Sequence, residues 1–144
     1  MSIDKAIVIE RVVGTRARTP TAGVRRVVAR DIANESTIVG RGACWMKRTK
    51  KGDASVFVSS LEVKESHRRR GIGRAIVEEI ESIGREDFGA TKCSLTVIKW
   101  NANARAMYAR LGFEYDDDDR EIWEYVVDPL TLVQRRMSRE ISIG

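Results

Sequence analysis

The sequence predicts an α/β domain of the α+β type, a mostly antiparallel sheet of about six to seven strands with two main helices. Three observations predict it. Four segments rich in β-branched residues precede residue 64. A long amphipathic helix starts at Ile72. A strand, a short helix and a hairpin follow it in turn.

Residues 5–13 (KAIVIERVV) are β-branched and read as a strand. Residues 14–23 hold two glycines, a proline and three threonines and read as a loop. Residues 24–32 (VRRVVARDI) fit two periods. Val24, Val27, Val28 and Ile32 would line a helix, whereas Val27, Ala29 and Asp31 would alternate in a strand. The strand is favoured, because Asn34, Glu35 and Ser36 then turn the chain into a further strand at 37–46. A basic turn around Gly52 leads to the strand at 54–63 (ASVFVSSLEV).

Ile72, Ile76, Val77, Ile80 and Ile83 share one helical face, and Gly89 is placed to cap the end of that helix. In 92–99 (KCSLTVIK), Cys93, Leu95 and Val97 alternate with Ser94, Thr96 and Ile98, as in a strand with one buried face. Asn101 or Asn103 can cap a second helix bearing Ala104, Met107, Tyr108 and Leu111, which ends at Gly112. Residues 113–115 start a strand, the aspartates at 116–119 read as its turn, and 121–127 (EIWEYVV) as its return. Leu130, Val133, Met137 and Ile141 fall at helical steps, so a last amphipathic helix fits the tail. The expected organisation is one domain over 1–128 and a C-terminal extension over 129–144.

Composition narrows the class. A chain of 144 residues suits one core, and its apolar runs are too short to cross a membrane. Asp4 and Lys5 follow Met1 without a signal-type apolar stretch, so a cytoplasmic protein is expected. Cys44 and Cys93 lie in apolar strand-like runs without metal-ligand neighbours, so both read as reduced core residues and no metal site is expected. Charge is uneven: residues 1–72 carry sixteen Lys/Arg against seven Asp/Glu, and residues 73–144 carry ten against fourteen. A basic half suits an anionic cofactor or nucleic acid, and an acidic half suits a basic acceptor.

The chemistry centres on residues 61–75 (LEVKESHRRRGIGRA). A strand, a glycine turn and a helix start aim unpaired N–H groups and a partial positive charge at one point. Gly71 and Gly73 let a ligand approach the backbone, and Arg68, Arg69, Arg70 and Arg74 add positive charge. The reading is a pyrophosphate cradle.

A second constellation supports it. Leu61, Val63, Arg68, Gly71 and Gly73 match a strand ending in Leu-x-Val followed by Gln/Arg-x-x-Gly-x-Gly/Ala. Asn101, Ala104, Tyr108, Gly112 and Phe113 match a strand, an Asn, and Ala-x-x-x-Tyr-x-x-x-Gly-Phe. Together, in this order, the two stretches resemble the signatures of the GNAT superfamily of acyl-CoA-dependent N-acyltransferases over roughly residues 24–127.

The resemblance implies a sheet splayed at its centre, between the strands holding Val63 and Val97, with acetyl-CoA as cosubstrate in the gap. It implies that the amides of Arg69, Arg70, Gly71, Ile72, Gly73 and Arg74 hold the CoA pyrophosphate, with Arg68 and Arg105 also on the cofactor. Leu61 and Val63 would pair with the pantetheine arm as an added strand does. Asn101 would bond the arm, and Tyr108 would stand by the sulfur as general acid to the thiolate. The N–H of Val63 is the candidate oxyanion donor; Glu62, Glu65 and His67 are candidate bases, with water-mediated deprotonation equally open.

Two positions depart from the family pattern: Glu65 replaces a usual proline, and Thr96 stands where some members place a glutamate. Residues 14–23 are too few for the two helices usual after the first strand, so these are expected to be missing or reduced. The acceptor site would then be open or completed by a partner subunit, and a homodimer is compatible with this.

The implied function is acetyl transfer from acetyl-CoA to a primary amine: a protein lysine or N-terminus, or a polyamine-like small molecule. Two alternatives stay open, an inactive CoA-binding regulatory protein and a basic nucleic-acid-binding module. The latter lacks interleaved aromatic and basic residues. Tyr108 taken alone also fits a core tyrosine, Asn101 a plain helix cap, and His67, the single histidine, a packing role.

Overall fold

A computed structural model describes residues 5–12, 23–48, 52–116 and 133–141. Four antiparallel strands come first in chain and sheet order: β1 (Ile7–Val12), β2 (Arg25–Asp31), β3 (Thr37–Arg48) and β4 (Ala54–Val63). A single 3-10 turn, Glu65–His67, leads to helix α1 (Ile72–Phe88). Then follow β5 (Lys92–Ile98), helix α2 (Ala102–Arg110), β6 (Glu114–Tyr115) and β7 (Gln134–Glu140). Among the described residues, seven strands, mostly antiparallel, and two α-helices thus form the expected mixed fold. The two-period segment 24–32 is a strand, since Val27 and Ala29 are buried on one face and pair with Gly42 and Gly40.

The chain divides into two compact units, Met1–Cys93 with Ile141–Gly144, and Ser94–Glu140. In the first, α1 packs on β1–β4. Ile72, Ile76, Val77, Ile80 and Ile83 are fully buried, each worth about 1.5–3 kcal/mol relative to exposure. Glycine sets the helix–sheet distance. A Cβ on Gly40 would lie 2.9 Å from Ile76 Cδ1, and one on Gly84 would lie 2.8 Å from Val56 Cβ. Only hydrogen fits there. The charged edge of α1 is tied back to the strands: Arg11 pairs with Glu79 and Glu86, and Arg25 with Asp87. Gly89, at φ 65°, caps the helix as expected. Cys44 and Cys93 are buried thiols, and burial pushes the Cys44 thiol up to about 11.

In the second unit, β7 lies between β5 and β6. It pairs antiparallel with β6, Tyr115 opposite Met137. Lys99 N–H donates to the Val133 carbonyl at 2.7 Å. The tail is therefore a sheet strand over 134–140 and not the helix that its spacing allowed. Val133, Met137 and Ile141 are four apart, and a step of four fits a two-residue period as well as a helical one. Met137, within β7, is buried, as a core-facing strand position requires. The expected loop at 14–23 (apart from Gly23), most of the aspartate run, and the return strand at 121–127 lie outside the described residues.

Candidate functional site

The cradle belongs to the first unit. Lys64 N–H donates to the Val39 carbonyl at 2.8 Å, while Val63 faces Gly40 and Leu61 faces Gly42. In an antiparallel ladder, bonded and non-bonded pairs alternate. The peptide groups of Val63 and Leu61 therefore point away from β3, toward the other edge of β4. One of them is used internally: Arg68 Nε donates to the Val63 carbonyl at 3.1 Å.

After the 3-10 turn the backbone twists twice into the left-handed region, at Arg69 (φ 65°) and Gly71 (φ 80°). Such a φ is unusual for a non-glycine residue and costs of order 1 kcal/mol or more. Gly71 is the N-cap of α1, and no side chain caps the helix. The first backbone bond across this end is Ala75 N–H to Gly71 carbonyl, 3.0 Å. The amides of Ile72 and Gly73 precede it and have no acceptor within the helix. A Cβ on Gly71 would meet nothing within 4 Å, and one on Gly73 only Val63 Cγ2 at 3.8 Å. The turn is thus open above its backbone. Arg68, Arg69, Arg70 and Arg74 are exposed around it, whereas the Ile72 side chain is core and offers only its amide.

The turn is also anchored from below. His67 Nε2 lies 2.9 Å from Asp31 Oδ2, at the end of β2, and Ser66 Oγ lies 2.8 Å from His67 Nδ1. Asp31 Oδ1 accepts from Ala33 N–H at 3.1 Å. The bond from His67 holds the Asp31 carboxyl below its ordinary pKa, helped by Ala33 N–H and the charge of Arg70. The sequence reading missed Asp31. Its partner is 36 residues away, and nothing local marks it; the only signal was a lone histidine beside the glycine turn. Glu62 is exposed and opposite Arg41 on β3.

The second constellation belongs to the second unit. Asn101 caps α2, its Oδ1 accepting from Ala104 N–H at 3.1 Å. Tyr108 is half-buried, and burial raises its phenol pKa. Its ring meets Phe113 edge-on at 6.1 Å, and its carbonyl accepts from the N–H of Phe113 at 3.0 Å. The Tyr-x-x-x-Gly-Phe spacing is thus a helix end, with Gly112 at φ 90° reversing the chain so that Phe113 returns to Tyr108. Arg105 is half-buried, and its Nε has no hydrogen-bond partner among the described residues. Trp100, 70% exposed, is no part of the core. Among the described residues no cluster of three His, Cys, Asp or Glu is placed to hold a metal, and no helix is long and apolar enough to cross a membrane.

The family model of the GNAT acetyltransferases matches residues 15–113, more than half of the chain, and includes both constellations. The chain belongs to the GNAT family. This GNAT chain is similar to a thialysine N-ε-acetyltransferase of Bos taurus, 27% identical over 86 residues, 60% of this chain and 49% of that protein. It spans about half the length of that curated relative. A solved nourseothricin acetyltransferase matches with a TM-score of 0.63 and 26% identity, over 83% of this chain and 66% of that one. Arabidopsis thaliana NAA60 in complex with acetyl-CoA matches with a TM-score of 0.62 and 16% identity, over 83% of this chain and 77% of that one. The latter likeness is one of fold.

Proposed function

We propose that this GNAT chain transfers an acetyl group from acetyl-CoA to a primary amine. The observation that carries the reading is the left-handed turn at Gly71, open above its backbone, which leads uncapped amides into α1 at the end of β4. These groups suit a pyrophosphate: N–H donors converge, the helix start adds partial positive charge, and four arginines surround them.

The residues divide the work. The amides from Arg69 to Arg74, with Arg68 and Arg105, hold the nucleotide end. Leu61 and Val63 present their peptide groups to the amides of the pantetheine arm, and Asn101 bonds that arm. The bound thioester supplies the acyl group. The N–H of Val63 donates to the carbonyl oxygen as it gains charge. Tyr108 gives its proton to the departing sulfur, which its raised pKa permits at neutral pH because the phenol stays protonated. Glu62 takes a proton from the incoming amine. The acceptor is a lysine side chain, a protein N-terminus or a polyamine-like molecule. The amine acceptor of the thialysine relative supports this class.

The test is a coupled thiol-release assay with acetyl-CoA and a panel of amines, run on the unmutated protein and on Tyr108→Phe. Amine-dependent CoA release that drops in the variant supports the reading. CoA release indifferent to every amine overturns it.

A further inference from the structure

We propose that Asp31 and His67 are positioning residues for the CoA pyrophosphate: they hold the cradle in shape from beneath without touching the cofactor. The inference rests on the acetyl-CoA reading above and deepens it.

The segment from Lys64 to Gly71 crosses from the sheet to the helix. At its start the Lys64 amide is fixed to β3, and at its end Gly71 caps α1. Between these points side-chain bonds tie it down at two places. One is local, Arg68 to the Val63 carbonyl. The other reaches a different strand, His67 to Asp31. Asp31 is a firm base for it. Its backbone pairs with Ile7 on one side and Thr37 on the other, and its second carboxylate oxygen is occupied by Ala33 N–H. Both side chains are only 12% exposed, so water competes weakly for the bond.

His67 immediately precedes Arg68, Arg69, Arg70 and Gly71. An anion held by backbone amides depends on their direction, and a turn fixed beforehand loses less freedom when the anion arrives. The left-handed Arg69 makes this anchoring more necessary, since an unheld chain would relax out of that conformation. Nε2 can donate to Asp31 while the Ser66 hydroxyl donates to Nδ1, so both ring nitrogens are engaged. The charge of Arg70 also acts on the Asp31 carboxylate.

The test compares two thioesters on the intact chain: acetyl-CoA, and acetylpantetheine, which has the arm but no pyrophosphate. His67→Ala and Asp31→Asn are expected to raise KM for acetyl-CoA about tenfold, the size of one charge-assisted bond, with little change in kcat. Their kcat/KM for acetylpantetheine should stay at the unmutated value. The double variant should be no worse than either single one, and His67→Gln, which restores an N–H donor, should recover most of the loss. Unchanged KM for acetyl-CoA overturns the proposal, and so does an equal loss with both thioesters, which would mark a general structural role. If the unmutated protein binds no CoA, the function itself fails and the proposal with it.

Discussion

A methyl built on Gly42 would lie 2.6 Å from Cγ2 of Ile76. Strand β3 and helix α1 are in backbone-to-side-chain contact there, with no spare volume. Gly42→Ala is expected to lower stability by about 1–3 kcal/mol, the usual penalty for an overfilled core. Gly84→Ala should behave alike, since its Cβ would meet Val56 at 2.8 Å. Urea unfolding followed by circular dichroism measures both; an unchanged midpoint would mean that helix and sheet are not in such close contact.

The glycines of the turn should separate from these. Gly73→Ala has an ordinary contact at 3.8 Å and should leave unfolding unchanged while weakening CoA binding. Gly71→Ala forces an alanine to φ 80°, which costs about 1–2 kcal/mol, and puts a methyl into the open cradle. Calorimetric titration with CoA should show at least a tenfold rise in Kd for Gly71→Ala, beyond what its stability loss explains.

Tyr108→Phe should cut kcat by about 10²-fold, within the range for general acid catalysis, while Kd for CoA stays the same. The tyrosine also has a signature in stability. Burial sets its folded pKa above the unfolded one, so the unfolded chain ionises first as pH rises. Stability should then decline from about pH 10 upward. The Phe variant should lack that part of the decline in alkaline unfolding curves.

Asp31 gives the opposite limb. Its folded pKa lies below the unfolded one, so its contribution is full above the ordinary aspartate range and disappears as pH falls through the folded value. Asp31→Asn should flatten the acid side of a plot of Tm against pH, between about pH 5 and 2. A variant curve parallel to the original would show that the bond to His67 does not bias the carboxylate.

How much of this was readable in advance depended on distance along the chain. The turn at Gly71, the cap at Asn101 and the Tyr108–Phe113 contact each arise within about a dozen residues, and local spacing announces them. The helix face from Ile72 to Ile83 was legible because five aliphatics repeat at one period. Residues 24–32 needed their neighbours: the turn at Asn34 to Ser36 tipped them to strand. The tail misled because Val133, Met137 and Ile141 satisfy two periods, and only pairing with β5 and β6 decides between them. Asp31–His67 was invisible, since the sheet register that places the end of β2 beneath the turn is a property of the assembled fold.

The account stands on the turn between β4 and α1 as a CoA-pyrophosphate site. Thermal unfolding with and without saturating CoA tests it most directly. A ligand at a hundred times its Kd stabilises the folded state by about 2.7 kcal/mol, so a clear rise in Tm is expected. The rise should shrink strongly for pantetheine, which has no pyrophosphate, and for Gly71→Ala. A Tm that does not move at millimolar CoA, or that moves equally with pantetheine, would contradict the account.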